Sequence, residues 1–170
     1  MGHSNQDLAR FLETLGAHGV RLLVDVRTVP ASRRVPWASG DALSVTLAEH
    51  GIAYEHAPAL GGLRKPKPGS RNTALRSGMF RAYADHMATP EFQAALSHLL
   101  SKAAQSPTVV MCAEAVPWRC HRNLLADAAV ARGADVVHLL GPDSIKPHEL
   151  SKLARVVAGV PTYPGEEPLF

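Results

Sequence analysis

The sequence contains little cysteine, few aromatic residues and no long apolar run, and each shortage excludes a class of protein. Two cysteines among 170 residues cannot build the disulfide framework of a small secreted domain, and they indicate a reducing compartment. Aromatic residues make up only 5% of the chain, which leaves few surfaces for stacking single-stranded bases. No run of about 18 apolar residues occurs, and no basic and apolar leader of exported proteins is present. We therefore expect a cytoplasmic protein without membrane contact.

The composition that is present is that of one folded domain. A length of 170 residues suits a single core, and an apolar content of 46% is ordinary for a globular protein. The net charge of +3 is only mildly basic, but arginine outnumbers lysine, and arginine binds phosphate and carboxylate through paired hydrogen bonds. An arginine- and alanine-rich composition is also expected from a GC-rich genome. The arginines therefore carry meaning mainly where they cluster with other polar groups.

Apolar runs alternate with helical patterns along the chain. Short apolar runs predict strands at residues 20–26, 52–56, 108–112 and 135–140. Apolar residues at helical spacing predict helices near residues 4–15, 41–50, 79–87, 90–104, 120–132 and 148–157. Proline, glycine and basic residues dominate 57–77, which predicts a long loop that is either functional or mobile. The alternation predicts an α/β fold, a three-layer Rossmann-like domain with a mostly parallel central sheet.

The two ends of the chain raise further expectations. The parallel pattern calls for one more strand before Gly2, so this first strand is either truncated or absent. A single α/β domain is expected to cover residues 1–160, and the proline-containing residues 161–170 are expected to form a loosely held tail. Neither an internal repeat nor a second domain is predicted.

Polar and reactive side chains follow the carboxyl ends of the predicted strands. Ligands of open parallel sheets bind at these ends, which lie along one edge of the sheet. In chain order the residues at this edge are His3 and Ser4, then Asp25, Arg27 and Arg33, then His56 with Gly61 and Gly62, and finally Cys112 and Glu114. Arg27 and Arg33 would bind an anion, while Asp25 would orient His3 or an arginine. The alternative is a buried pair of Asp25 and Arg27 that fastens the loop.

The densest cluster of reactive residues lies at 112–122, with the sequence Cys-Ala-Glu-Ala-Val-Pro-Trp-Arg-Cys-His-Arg. The first turn of the predicted helix holds Arg119, Cys120, His121 and Arg122. N–H groups at a helix start favour an anion and stabilise a thiolate, which predicts a nucleophilic cysteine. The phosphate-binding loop of cysteine-dependent phosphatases and sulfurtransferases needs five residues between Cys and Arg. Here that spacing places a tryptophan at the required position and Arg119 one residue late, so that chemistry is not predicted.

Other uses of the same residues remain open. A cysteine that ends a buried strand is commonly a small core residue, Glu114 can simply favour a helix start, and His121 can be a surface or capping residue. Cys112, Glu114, Cys120 and His121 include good zinc ligands, but they lack the paired short spacings of structural zinc sites, so no metal is assigned. Cys112 and Cys120 would form a redox pair if the loop brings them together.

Seven short motifs follow one another along the chain. They are Gly2-His-Ser-Asn5, Val24-Asp-Val-Arg27, Pro30-Ala-Ser-Arg33, Leu60-Gly-Gly62, Phe80-Arg-Ala-Tyr-Ala-Asp85, Cys112-Ala-Glu114 and Pro117-x-x-Cys120-His-Arg122. With these motifs the chain resembles the bacterial domain-of-unknown-function 488 family over nearly its whole length. The resemblance implies a Rossmann-like α/β fold in the cytoplasm, and an apolar strand ending in Thr-Ile-Gly-His-Ser, of which only the last residues are present here. It implies no reaction, because the family is named for lacking one.

These observations predict a cysteine-dependent hydrolase or transferase for an anionic, phosphate-bearing substrate, either a nucleotide or a nucleic-acid component. Cys112 or Cys120 would act as nucleophile or proton donor, with Glu114 and His121 as acid–base partners. The residues expected to bind the substrate are His3, Ser4, Asp25, Arg27, Arg33, Arg119 and Arg122. The alternatives are a non-catalytic nucleic-acid or nucleotide-binding module, suggested by the arginines at 64–81, and a metal-dependent hydrolase. The sequence identifies neither a cofactor nor an oligomeric state.

Overall fold

The computed structural model describes residues 1–165, which form five α-helices and seven short strands. In chain order these are α1 Leu8–Ala17, β1 Leu22–Asp25, α2 Gly40–Glu49, β2 Ala53–His56, α3 Gly78–Met87, α4 Pro90–Ala103, β3 Thr108–Met111, α5 Arg122–Ala131, β4 Val137–Gly141, β5 Ser144–Pro147, β6 Arg155–Val157 and β7 Val160–Thr162. Short 3-10 helices at Pro36–Ala38, Pro58–Leu60 and Pro117–Arg119 each begin with proline, whose fixed φ suits the first helical position. No helix within these 165 residues is long and apolar enough to cross a membrane.

A parallel sheet of three strands lies at the centre, in the order β2-β1-β3. Leu23 of β1 lies opposite Tyr54 of β2 and Val109 of β3, and both pairings are parallel. Every residue of β1 is buried, as expected for a central strand that is covered on both faces. The prediction of an α/β fold with a parallel sheet is therefore confirmed.

The core has two parts because alternate residues of a strand point to opposite faces of the sheet. Leu22 and Val24 pack in a cluster with buried residues of α3, α4 and α5. Leu23 packs instead in a second cluster with buried residues of α1 and α2. The three strands seen here are fewer than a full Rossmann sheet, so the three-layer Rossmann-like arrangement stays a prediction.

The residues before α1 lie along the free edge of β3. Gly2 forms one isolated parallel bridge with Cys112. The N–H of His3 donates to the carbonyl of Cys112 at 3.0 Å, and that of Ser4 donates to Ala113 at 2.9 Å. This segment therefore occupies the position in which the sequence pattern calls for a further strand, and it fixes the backbone at the carboxyl end of β3.

The C-terminal part of the described chain differs from the sequence prediction. Strands β4 and β5 pair antiparallel, as do β6 and β7, and neither pair joins the central sheet. The helix predicted at 148–157 is wrong, because residues 155–157 form β6. Ala158 and Gly159, with φ values of 50° and 75°, form the two-residue turn between β6 and β7. Two successive positive φ values are the requirement of a tight hairpin turn, and glycine meets it without strain.

The expected loose tail begins at residue 161, but the structure buries Tyr163 completely. The Tyr163 hydroxyl donates to Oδ2 of Asp127 at 2.7 Å, and its backbone N–H donates to Oδ1 of Asn72 at 2.8 Å. Residues up to Tyr163 therefore belong to the packed domain, because an aromatic side chain contributes a large apolar area to the core. Residues 166–170 of the expected tail lie outside the described part of the chain.

The long loop predicted at 57–77 is present between Leu60 and α3, and internal hydrogen bonds hold it. The guanidinium of Arg64 donates to the carbonyl oxygens of Pro58, Ala59 and Gly61. Nδ2 of Asn72 donates to the carboxylate of Asp85 at 2.8 Å. The loop is therefore a fixed wall of the domain at these points.

Candidate functional site

A cleft of about 250 Å³ opens where the chain leaves the carboxyl ends of β1 and β3. Its polar side is formed by residues of the 112–122 segment, namely Cys112, Glu114, Arg119, Cys120 and His121. Its apolar side is formed by Val29, Leu63, Met79 and Phe80. A cleft at strand ends is the usual ligand position of an open parallel sheet. The volume is close to the lower end of ligand pockets, about 300 Å³, and so suits a small ligand or one group of a larger ligand.

The two cysteines reach the cleft from different elements. Cys112 follows β3 directly, and its backbone is held by the hydrogen bond from His3. Cys120 follows the Pro117–Arg119 helix, and its N–H donates to the carbonyl of Pro117 at 2.9 Å. The two sulfur atoms lie 2.8 Å apart, and both cysteines are free thiols. Helix α5 begins only at Arg122, so the prediction that its first turn holds residues 119–121 is wrong, because the 3-10 turn and an extended Cys120 come first.

Hydrogen-bond donors surround the sulfur of Cys120. The backbone N–H of Arg122, the Nε of Arg122 and the Nδ1 of His121 each lie 3.5 Å from it. The hydrogen bond with the Cys112 thiol, the contact with His121 and the charge of Arg122 hold the pKa of Cys120 well below its usual range, against the opposing effect of burial. Cys120 is also positioned just before the N-terminus of α5, where the helix dipole favours negative charge. This thiol is therefore the anionic one of the pair.

Cys112 has the opposite character. Burial, followed by the hydrogen bond and the negative charge of Cys120, raises the pKa of Cys112 far above its usual range. The Cys112 thiol also donates to Oε2 of Glu114 at 3.0 Å. Its single proton is within reach of both the Cys120 sulfur and the Glu114 carboxylate, and it is donated to one of them at a time. The pair consists of one thiolate and one thiol that serves as its hydrogen-bond donor.

Arg122 connects the thiolate with the 113–116 loop. The side chain is buried, its Nε faces Cys120, and its Nη2 donates to the backbone carbonyl of Glu114. Gly2 packs against the same carbonyl, and a Cβ at Gly2 would overlap with it. Arg122 and Gly2 thus fix the carbonyl of Glu114 from two sides. These contacts also hold the loop that carries the Glu114 carboxylate.

His121 is held by close packing. Its ring lies 5.0 Å from the ring of Tyr83, and a Cβ at Gly62 would overlap with the imidazole. Tyr83 is itself fixed, since its buried hydroxyl donates to the carbonyl of Leu60 at 2.9 Å. Nδ1 of His121 faces Cys120, whereas Nε2 is buried without a hydrogen-bond partner among residues 1–165. Gly62 is therefore needed because only a residue without a side chain lets the imidazole reach this position.

Asp25 and Arg27 form a closed pair beneath the cleft. Nε of Arg27 lies 2.9 Å from Oδ1 of Asp25, and Nη2 of Arg27 donates to Oδ2 of Asp25 and to the carbonyl of Ala38. The hydroxyl of Tyr54 donates to the same Oδ2 at 2.8 Å. Arg27 lines the cleft but Asp25 does not. The arrangement is the buried pair that fastens the loop, the alternative that the sequence left open.

The other predicted substrate-binding residues do not all reach the cleft. His3 is buried with Nε2 3.3 Å from Nη1 of Arg27, and burial lowers its pKa, so its ring is neutral near pH 7. His3, Ser4 and Arg33 are not among the residues that line the cleft. Arg119 does line it, and its side chain is exposed. Arg119 is thus the predicted cation that is open to a ligand there.

A family model described as "Domain of unknown function DUF488" matches residues 7–129. The chain belongs to this family. No curated protein and no solved structure matches the chain. The match includes both cysteines, His121 and Arg122 of this DUF488 domain, but it ends before β4. The resemblance predicted from the short motifs is confirmed, and the family description assigns no reaction.

Sequence reasoning missed the apolar side of the cleft in this DUF488 domain. Val29, Leu63 and Met79 are all more than half exposed, so no hydrophobic periodicity singles them out. Phe80 belongs to an amphipathic helix and is half-buried between the cleft and the core. The available signal was the proximity of these residues to the glycine pair at 61–62 and to the loop after β1.

The same donors could also hold a metal ion. The ligand atoms of Cys112, Cys120 and His121 all lie within 4.8 Å of one another. Two thiolates and one imidazole are a donor set that suits zinc and other soft divalent ions. The site of the DUF488 domain therefore supports thiol chemistry first, and metal chemistry as a competing use of the same atoms.

Proposed function

We propose that this DUF488 chain is a cysteine-dependent hydrolase or transferase that acts on an anionic, phosphate-bearing substrate, with Cys120 as the nucleophile. The observation that carries the proposal is the set of hydrogen-bond donors around the Cys120 sulfur. Three N–H or ring-nitrogen positions lie 3.5 Å from it, and the Cys112 sulfur lies 2.8 Å away, on the floor of an open cleft. A thiolate is the reactive form of cysteine, and these contacts favour it.

The other polar groups suit the steps that follow nucleophilic attack. The Cys120 thiolate attacks an electrophilic phosphorus or acyl carbon, and a covalent bond to sulfur replaces the bond to the leaving group. His121 donates a proton to the leaving group from Nδ1, the ring nitrogen that faces Cys120, because Nε2 is buried. Glu114, whose side chain is exposed at the cleft, accepts a proton from the water or alcohol that releases the intermediate. Cys112 remains protonated throughout and stabilises the sulfur anion of Cys120 by its hydrogen bond.

The anionic character of the substrate follows from the charges at the cleft. Arg119 is exposed on its polar side, and the backbone N–H of Arg122 at the start of α5 faces the Cys120 sulfur. Arg27 also lines the cleft, but its Nη2 already donates hydrogen bonds to Asp25 and to the carbonyl of Ala38, so it is less available to a substrate. A volume of about 250 Å³ accommodates a phosphate group with a small substituent, as in a mononucleotide fragment.

The test is to trap the covalent intermediate. The protein is incubated with an aryl phosphate, a phosphodiester and an acyl-phosphate probe, and the adduct is located by peptide mass spectrometry. The proposal expects an adduct on Cys120 with at least one of these probes, none in Cys120→Ser, and a weaker but detectable one in the matched variant Cys112→Ser. Turnover that persists unchanged in Cys120→Ser would contradict the proposal.

A second candidate, a metal-dependent hydrolase, is favoured by one observation, the three converging donors of Cys112, Cys120 and His121. Catalytic zinc sites use three protein ligands and leave one position for water. Elemental analysis of protein purified without chelator distinguishes the candidates. A metal site predicts about one equivalent of metal in the wild type and a large loss in His121→Ala. Metal-free protein with a reactive Cys120 supports the thiolate enzyme.

A further inference from the structure

The contact between the two sulfur atoms supports a second activity of the same cleft. We propose that the chain reduces a hydroperoxide, with Cys120 as the attacking thiol and Cys112 as the resolving thiol, and closes a reversible disulfide between them. The inference rests on the proposed function only in using the same nucleophile, Cys120. It requires no substrate anion and no metal.

The geometry makes disulfide closure a small movement. The sulfur atoms lie 2.8 Å apart, compared with about 2.05 Å in a disulfide. The backbones that carry them are held by separate hydrogen bonds, from His3 to Cys112 and from Cys120 to Pro117. Both cysteines line the cleft but are almost completely buried, so a hydroperoxide, which is smaller than the cleft, has to approach the sulfur atoms from the cleft side.

The first step oxidises Cys120 by two electrons. Its thiolate attacks the outer oxygen of the hydroperoxide, so that a sulfur–oxygen bond forms and the oxygen–oxygen bond breaks. The departing alkoxide, or hydroxide from hydrogen peroxide, takes a proton and leaves as alcohol or water. Cys120 is then a sulfenic acid. The guanidinium and backbone N–H of Arg122, both 3.5 Å from the sulfur, stabilise the anionic state from which the attack begins.

The second step uses the carboxylate beside Cys112. Once Cys120 is a neutral sulfenic acid, its negative charge no longer raises the pKa of Cys112, and Glu114 Oε2, 3.0 Å from the Cys112 sulfur, accepts the thiol proton during the attack. The Cys112 sulfur attacks the sulfur of Cys120, the sulfur–sulfur bond forms and the sulfur–oxygen bond breaks. The hydroxide that leaves takes the proton back from Glu114 and departs as water. Two thiols and one hydroperoxide thus give one disulfide, one alcohol and one water, and a dithiol reductant restores the thiols.

The consequence for the cleft is a reversible loss of its nucleophile. In the disulfide form Cys120 has no thiolate, so the group-transfer activity proposed above is absent until the disulfide is reduced. Cys112 also prevents further oxidation, because a sulfenic acid that condenses with a neighbouring thiol does not proceed to the irreversible sulfinic acid.

The experiment treats the reduced full-length protein with one equivalent of hydrogen peroxide or tert-butyl hydroperoxide, followed by non-reducing peptide mapping. The wild type is expected to form a Cys112–Cys120 link that dithiothreitol removes. Cys112→Ser is expected to form no link, but to carry a sulfenic acid at Cys120 that dimedone traps. Cys120→Ser is expected to react at least about tenfold more slowly, since Cys112 lacks thiolate character.

Formation of the Cys112–Cys120 link in the wild type tests the inference even if a variant does not fold. Two free thiols after the treatment, or equal over-oxidation of Cys120 in the wild type and in Cys112→Ser, would overturn the inference. Substrate adducts on Cys120 without a disulfide would overturn this inference and leave the proposed function intact. A disulfide that forms without any substrate adduct would contradict the proposed function and support the peroxide activity.

Discussion

At the scale of single residues, Arg122 adds to the stabilisation that Cys112 and His121 give the Cys120 thiolate. Its side chain contacts the Cys120 sulfur through Nε and the Glu114 carbonyl through Nη2, while its backbone N–H also faces the sulfur. A buried guanidinium with these partners stabilises negative charge on Cys120 more than an exposed cation does, because water screens it less. Arg119, three residues earlier, is exposed at the cleft and has no such contact with the thiol among the described hydrogen bonds.

The two arginines therefore predict different variant phenotypes. We expect Arg122→Gln to raise the pH below which alkylation of Cys120 slows, because loss of the cation raises the pKa of the thiol. Inorganic phosphate is expected to slow alkylation of Cys120 in the wild type. Arg119→Gln is expected to leave the rate without phosphate unchanged but to abolish this protection. Rates of iodoacetamide modification, measured by peptide mass spectrometry, separate the two roles. Equal effects of both variants on the rate at low pH would count against this assignment.

Residue chemistry was only partly predictable from the sequence. The reactive types at 112–122 were identifiable, but an eight-residue spacing carries no information on a sulfur–sulfur distance. That distance depends on the 3-10 helix Pro117–Arg119 and on the extended Cys120, where the sequence predicted the first turn of an α-helix at residues 119–122. The role of Arg27 also depends on tertiary structure, since its guanidinium meets Asp25 and the carbonyl of Ala38 from a different loop.

The glycine at 62 shows how two elements together position the His121 ring beside Cys120. The loop after the Pro58–Leu60 helix brings Gly62 against His121, and α3 brings Tyr83 against the same ring. We expect Gly62→Ala to displace the imidazole from Cys120, because the new Cβ would overlap with it. The pH below which alkylation of Cys120 slows should then be higher than in the wild type, since the hydrogen bond to the thiolate is lost.

A matched control for this substitution lies in α1. Gly16 is a helical glycine with no atom within 4 Å of an added Cβ. Gly16→Ala should therefore raise the free energy of unfolding by about 0.5–1 kcal/mol through the higher helix propensity of alanine, without an effect on Cys120. If Gly62→Ala alkylates at the wild-type rate, packing against His121 is not what holds the imidazole near the thiolate.

At the element scale the central strands were predictable and the C-terminal part was not. Strands β1 and β3 are short, mostly apolar runs that follow helices, so their type follows from composition and position, whereas β2 is more polar and is placed by its position between α2 and the long loop. Residues 148–157 carry apolar side chains at helical spacing, which predicted a helix. The structure has strand β6 at residues 155–157, followed by the hairpin turn at Ala158 and Gly159. Antiparallel pairing of β4 with β5 depends on contacts between the two strands that no local pattern reports.

A buried polar network ties the C-terminal hairpins to α5 in the whole molecule. Nε2 of His138 lies 3.0 Å from Nδ1 of His148, and Nε2 of His148 lies 2.9 Å from Oδ1 of Asp127. The hydroxyl of Tyr163 completes the network at the other carboxylate oxygen. Burial, followed by the charge of His148, lowers the pKa of His138 from 6.5 to about 4. The folded state therefore prefers the neutral imidazole.

This preference predicts how stability depends on pH. The unfolded chain binds a proton at His138 below about pH 6.5, whereas the folded chain resists it until about pH 4, so stability is highest above 6.5 and falls as the pH decreases between these values. Urea unfolding measures the free energy of unfolding at pH 6.5 and at pH 4. Its decrease between these pH values should be about 1–2 kcal/mol larger in the wild type than in His138→Gln. The control His50→Gln, at an exposed position, should reproduce the wild-type slope. If the free energy of unfolding decreases equally with pH in the wild type and in His138→Gln, His138 does not contribute to the pH dependence of stability.

The central claim is that Cys120 is a thiolate in the folded protein at neutral pH, and the pH dependence of alkylation tests it most directly. An ordinary thiol with a pKa of about 8.5 loses about tenfold in rate for each pH unit below that value. We predict that the rate at Cys120 differs by less than about twofold between pH 6 and pH 8, while Cys112 stays unmodified over the same range. A Cys120 rate that falls about a hundredfold between pH 8 and pH 6 would contradict the claim.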